Sequence, residues 1–120
     1  MKPTRLLILG KVWPDRSASA AGVRTQQLLR LWRDHIPDGG YMAFASPAKP
    51  KGDSAEQVKA LGVDSATRVP LNVESETRQL LELTNPDVVV FDTFNIEEAF
   101  GWAVAAHAPS AVRVLDTQDL

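Results

Sequence analysis

Short, nearly uninterrupted apolar runs alternate along the chain with longer stretches whose apolar residues recur at helical spacing. Five runs predict strands: Arg5 to Gly10, Tyr41 to Ser46, Ala66 to Leu71, Asp87 to Asp92 and Ala111 to Asp116. The first and fourth, Arg5-Leu6-Leu7-Ile8-Leu9-Gly10 and Asp87-Val88-Val89-Val90-Phe91-Asp92, hardly alternate, as expected of parallel strands buried on both faces. Both are therefore expected at the centre of a sheet.

Four helices are predicted between the strands. Ala20 to Ile36 sets Val23, Leu28, Leu31, Trp32 and Ile36 on one stripe, with Arg24, Gln26, Arg30 and Arg33 elsewhere, and Pro37-Asp38-Gly39-Gly40 stops it. Ser54 to Leu61 ends at Gly62, a residue suited to a left-handed cap. Glu74 to Leu83 carries Leu80, Leu81 and Leu83 and is ended by Asn85-Pro86-Asp87. Ile96 to His107 opens on Glu97 and Glu98, where the helix dipole favours acids, and closes before Pro109.

Strands joined by crossover helices form parallel sheets. The order βαβαβαβαβ thus predicts an α/β fold: a doubly wound, Rossmann-like parallel sheet of about five strands, order 3-2-1-4-5, with helices on both faces. A complete domain of this kind normally carries a helix after its last strand. The sequence given ends at Leu120, directly after the fifth strand, so a longer natural reading frame is expected.

Composition narrows the chemistry more than the fold. The 120 residues suit a single domain, and 44% apolar with 23% charged residues suits a globular one with a core. A formal charge of −2 argues against a dedicated nucleic-acid binder. Without cysteine, and with only His35 and His107 as histidines, neither thiolate chemistry nor a protein-ligated transition metal is expected. No apolar run approaches the roughly 18 to 20 residues of a membrane span. The apolar stretch Leu6 to Leu9 is too short for a secretion signal, which makes the cytoplasm the expected compartment.

In an open α/β sheet, ligands bind beyond the carboxyl ends of the strands, where the strand order reverses. Under the predicted order that place lies between the first and fourth strands. The segment from Gly10 to Gly22 meets Asp92 and Thr93 there, with Asp116 and Thr117 one strand further on. Gly10 to Gly22 is too long for a dinucleotide turn and has neither a G-x-G-x-x-G nor a Walker motif, which disfavours NAD and ATP in their commonest settings. No cofactor is expected. The small residues Ser17, Ala18, Ser19, Ala20, Ala21 and Gly22 instead lead into a helix N-terminus that suits a phosphate or carboxylate, with Ser17 or Ser19 as cap. Arg24 faces either such an anion or a neighbouring acid, Asp15 or Asp92.

Asp92 and Asp116 each end a strand, where a carboxylate serves as a general base, binds sugar hydroxyls, or merely caps the next helix or pairs with an arginine. Asp116 and Asp119 are too far apart for a D-x-D metal motif. His35 and His107 fall in the last turns of helices, where an imidazolium caps the negative end of the dipole. Trp32 and Trp102 are expected to be packed, which leaves Trp13 as the candidate for stacking on a sugar. Arg30, Arg33 and Trp32 form either a solvated helix face or one able to graze an anionic membrane.

Four segments carry a resemblance: Leu6-Leu7-Ile8-Leu9-Gly10-Lys11-Val12-Trp13-Pro14, Ser17-Ala18-Ser19-Ala20-Ala21-Gly22-Val23-Arg24, Phe44-Ala45-Ser46-Pro47-Ala48 and Val114-Leu115-Asp116-Thr117-Gln118-Asp119-Leu120. Through them the chain resembles the N-terminal domain of bacterial GT-B glycosyltransferases of the family 1 and family 4 type. The resemblance implies two Rossmann-like domains facing across a cleft, with no obligatory metal. The N-terminal domain mainly holds the acceptor, such as a glycan or lipid-linked glycan, and the C-terminal domain the nucleotide-sugar donor. Gly22 and its helix start would face the donor phosphates, while Asp92 and Asp116 would line the acceptor side, with Trp13, Ser17, Ser19, Arg24, Thr93, Thr117 and Asp119 as further binding residues. No C-terminal domain lies within these residues, so the E-x7-E element that the resemblance assigns to that domain is not located here. The alternative from another class is a stand-alone flavodoxin-like binding module without catalytic activity.

Glycosyl transfer requires both substrates in reacting geometry, which one side of a cleft does not supply. This polypeptide alone is therefore expected to be inactive. Incubation with nucleotide-sugars and glycan acceptors should yield no product, and sugar transfer by the isolated chain would refute the expectation.

Overall fold

The computed structural model describes residues 3–14, 20–37 and 39–116. Five strands and four helices alternate: β1 (Arg5–Leu9), α1 (Ala20–His35), β2 (Tyr41–Ser46), α2 (Ser54–Ala60), β3 (Ser65–Arg68), α3 (Glu74–Thr84), β4 (Val88–Phe91), α4 (Phe94–His107) and β5 (Val112–Leu115). All strand pairs are parallel, and the sheet order is β3-β2-β1-β4-β5, as the hydrophobic pattern predicts. Among the described residues no helix is long and apolar enough to cross a membrane.

The period-two alternation of β1 divides the core in two. Leu7 and Leu9 join Ala43, Ala45, Val89 and Phe91 on the face covered by α3 and α4, through Leu80, Leu81, Ile96, Phe100 and Val104. Leu6 and Ile8 join Met42, Phe44 and Val90 on the face covered by α1 and α2, through Leu28, Leu29 and Val58. In register, Ile8 stands between Phe44 of β2 and Val90 of β4. β1 is thus central and buried on both sides, with β4 beside it.

Element ends differ from the sequence expectation where turn chemistry competes with the apolar pattern. β3 runs Ser65–Arg68 rather than Ala66 to Leu71, because Pro70 has no N–H for the ladder and Asn72 takes a left-handed φ of 61°. Val69 still bonds back to the Ser46 carbonyl at 2.9 Å. α3 ends at a left-handed Asn85, and Gly62 beyond α2 has φ +93°, a conformation that favours glycine. α4 begins at Phe94, two residues before the predicted Ile96, because Thr93 caps it and its Oγ1 accepts a hydrogen bond from Ile96 N at 3.3 Å.

The burial of α1 departs from the predicted stripe. Gly22, Thr25, Leu28 and Leu29 form its buried face, whereas Val23 and Leu31 are exposed, Leu31 to 47%. Val114 and Leu115 of β5 line an apolar hollow of about 420 Å³ together with Leu31 and Trp32, so this part of the α1 side of the sheet is only partly covered. The other expectation about an apolar side chain that fails is Trp102, which is 53% exposed. Its neighbours Phe100, Gly101, Ala103 and Val104 take the inward positions of α4.

The register of α1 makes a clear prediction. Leu29→Ala should cost about 2–5 kcal/mol, as for other fully buried leucines, while Leu31→Ala should stay within about 0.5 kcal/mol. Urea denaturation of the two variants measures the difference, and equal costs would place the buried stripe of α1 elsewhere.

Candidate functional site

At the carboxyl end of β1 the ladder is carried one residue further on each side. Gly10 N donates to Ala45 O of β2 at 2.9 Å, and Asp92 N donates to Leu9 O at 3.1 Å. The next amide, Lys11 N, donates to the Asp92 side chain, Oδ2, at 2.9 Å. The Asp92 carboxylate therefore takes the place of a strand carbonyl at the point where the strand order reverses. Gly10 permits the close approach: a Cβ there would stand 2.7 Å from Phe44 Cε1 and 3.4 Å from Asp92 Oδ2.

A cavity of about 380 Å³ opens beyond this junction, within the usual range for small-molecule sites. Arg24 and Thr25 of α1 line one wall, and Asp92, Thr93, Phe94 and Asn95 the other, with Asp116 at the end of β5 between them. Asp92, Asp116, Thr93 and Arg24 are thus brought together as the sequence predicts. Gly22 is buried within α1, one turn above Thr25, whose hydroxyl donates to the Ala21 carbonyl at 3.0 Å. Ser17, Ser19, Thr117 and Asp119 lie outside the described residues, as does Asp15, the other acid proposed for Arg24.

Asp92 is the centre of the electrostatics. Its Oδ1 is buried and has no hydrogen-bond partner. Burial disfavours the charged form and raises the pKa above its usual 3.8. The Lys11 amide, the Thr93 hydroxyl beside the carboxylate and the more distant Arg24 charge oppose that rise, and the negative charge of Asp116 adds to it. The result is a carboxylate with one oxygen tied to the backbone and the other buried without a hydrogen-bond partner.

Trp13 does not belong to the site. It is only 6% exposed, its Nε1 donates to Ala48 O at 2.7 Å, and it meets Phe44 edge-on at 5.2 Å. The Val12-Trp13-Pro14 segment turns its indole into the α1–α2 side of the core, where the N–H finds a carbonyl beyond β2. The aromatic residue at the cavity is instead Phe94. The prediction of α4 from Ile96 hides it, yet a Thr three residues before Ile96 is an N-cap signal that places Phe94 in the first turn. Asn95 and the Lys11 amide also went unmarked.

The remaining candidates have structural partners. His35 Nδ1 lies 2.7 Å from Leu31 O in the last turn of α1, the capping arrangement expected of it. His107 closes α4 against the start of α3 through Glu74 Oε1 at 3.2 Å. Arg33 turns toward Asp64 and the Gly40 carbonyl, while Arg30 stays exposed. Among the described residues no three His, Asp or Glu side chains converge as a metal centre requires.

No protein-family model matches the chain, and no curated protein matches it in sequence.

The raised pKa of Asp92 has a defined consequence for stability. A carboxyl that holds its proton more tightly in the folded state loses stabilisation as pH rises from the unfolded pKa through the folded one. Asp92→Asn keeps an oxygen for the Lys11 amide and removes that titration. The stability of Asp92→Asn relative to the native protein should therefore increase as pH rises above about 4 and level off beyond the folded pKa. Paired urea titrations from acid to neutral pH measure it, and a relative stability of Asp92→Asn that falls with rising pH would show the opposite shift.

Proposed function

We propose that the chain is the acceptor-binding domain of a glycosyltransferase of the GT-B type, which joins a sugar from a nucleotide-sugar donor to an acceptor hydroxyl. The observation that carries this reading is the Asp92 carboxylate at the switch-point cavity, with Oδ1 buried and unpartnered and Asp116 beside it. Asp92 and Asp116 supply acceptors, and Lys11 and Arg24 in the same lining supply donors, a mixed set that suits a ligand rich in hydroxyls. The resemblance of the β1 and β5 segments to such domains supports the same reading.

In this mechanism the acceptor sugar occupies the cavity with one hydroxyl against Asp92. As that oxygen bonds to the anomeric carbon of the donor, the bond from the anomeric carbon to the phosphate oxygen breaks, and the nucleoside diphosphate leaves with the bonding electrons. The acceptor proton passes to Asp92. A base with a raised pKa keeps the proton more readily than an exposed aspartate would. The nucleotide-sugar is the task of a facing domain, and Gly22, on the buried face of α1, takes no direct part in holding it.

Titration of the labelled chain with a panel of methyl glycosides, followed by amide NMR, tests the proposal. Glycoside binding should move the amides of Lys11, Thr93 and Asn95. Asp92→Asn should weaken binding about 10-fold or more, as expected for loss of a hydrogen bond to a charged group. Binding of nucleoside diphosphates at these amides with no response to any glycoside would overturn it.

A further inference from the structure

Three of the four phenylalanines, Phe44, Phe91 and Phe100, are core residues, and the fourth is not. Phe94 is 63% exposed, more than any other described aromatic side chain, and it lines the same cavity as Asp92 and Asp116. Its backbone is held firmly for a residue that packs so little. Thr93 Oγ1 accepts from Ile96 N at 3.3 Å, and Thr93 O accepts from Glu97 N at 3.1 Å, which fixes the first turn of α4. The core clusters contain Phe91, Ile96 and Phe100 but not Phe94, so the ring contributes little to packing. An exposed large apolar side chain on a rigid turn at the rim of a polar cavity is suited to cover an apolar ligand surface.

We propose that Phe94 is the stacking platform of the acceptor subsite and that the ligand it selects is an uncharged pyranose, an inference that rests on the glycoside reading of the Asp92 cavity. A pyranose carries its two chemistries at right angles. One ring face presents C–H groups, and the rim presents hydroxyls that donate hydrogen bonds. Phe94 offers a ring for the first, and the carboxylates of Asp92 and Asp116, which line the same cavity, offer acceptors for the second. With two acids and two bases in the lining, Asp92 and Asp116 against Lys11 and Arg24, the cavity carries no excess of positive charge to select a phosphate or carboxylate. A nucleobase also stacks on an aromatic ring, but among the four common bases guanine alone presents two adjacent donors to a carboxylate. Guanosine is therefore the discriminating competitor.

The test uses methyl glycosides of gluco, galacto and manno configuration, with guanosine as control, on the native chain, Phe94→Ala, Phe94→Tyr and Asp92→Asn. Because Phe94 is exposed, both of its variants should keep the native melting behaviour, which thermal denaturation checks. On the native chain, the C–H protons of one pyranose face should shift upfield under the ring current. In Phe94→Ala that shift should vanish and affinity should fall about 10-fold, equivalent to about 1.4 kcal/mol. Phe94→Tyr should restore both. Glycoside binding that needs Asp92 but is unchanged in affinity and proton shifts in Phe94→Ala overturns the platform and leaves the glycoside site standing. Absence of glycoside binding to the native chain overturns the functional reading and the platform with it. Guanosine shifting the Phe94 ring where glycosides do not overturns the pyranose assignment.

Discussion

β1 must be buried on both faces, and most of the architecture follows from that. Leu6, Leu7, Ile8 and Leu9 are four consecutive large apolar residues, and a strand sends successive side chains to opposite sides. Such a segment is stable only with a neighbour on each edge and a helical layer above and below. β2 and β4 supply the edges, α1 and α2 one layer, and α3 and α4 the other. Because the chain leaves β1 toward β2 over one face and reaches β4 over the other, a cavity opens among the described residues at the carboxyl end of the β1–β4 pair. The cavity is a by-product of winding the sheet both ways from a doubly buried strand.

What fills that gap is governed by hydrogen-bond satisfaction. The Lys11 amide emerges where β1 has ended and no strand carbonyl is in reach, and the Asp92 carboxylate meets it. This contact draws a charge into a partly desolvated position, and the remaining oxygen is left without a donor. An unsatisfied buried acceptor is costly unless a ligand or water completes it. Arg24 and Thr93 offset part of the cost by favouring the charged form, and Asp116 works against them. The contacts that close the sheet thus also set the direction of the Asp92 shift, upward through burial. Gly10, just before the Lys11 amide, leaves room for Phe44, whose Cε1 would stand 2.7 Å from a Cβ there.

Much of this was legible in the residue pattern. The uninterrupted runs Leu6 to Leu9 and Val88 to Phe91 carry no alternation, and two-sided burial is the physical meaning of that. Strand order and the meeting of Asp92, Thr93, Asp116 and Arg24 follow from the same pattern. α1 was harder, because Leu28, Leu29, Leu31 and Trp32 place four apolar residues within five positions, so that more than one stripe fits. The choice between Leu29 and Leu31 is made by the sheet surface beneath, which the helix sequence does not contain. Trp102 misleads for a related reason: α4 is apolar over most of its circumference, and small residues such as Gly101 and Ala103 take the inward positions.

Trp13 and Phe94 exchange the roles that local sequence suggests for them, and this bears on the resemblance. Trp13 sits in a loop beside a presumed ligand, which suggests stacking, but the loop turns back under the end of β2 and buries the indole against Phe44 and the Ala48 carbonyl. Phe94 falls between the predicted end of the fourth strand at Asp92 and the predicted helix start at Ile96, and the Thr93 cap brings it into the helix and leaves the ring outside. The distinctive Val12-Trp13-Pro14 segment is therefore a packing element, and a likeness resting on it concerns how a first loop is anchored to a sheet. The chemistry rests on a different stretch, Asp92-Thr93-Phe94-Asn95, in which one residue ties down a strand end, the next caps a helix, and the last two line the cavity. The side chains of that stretch, unlike Trp13, have unburied surface to offer a ligand.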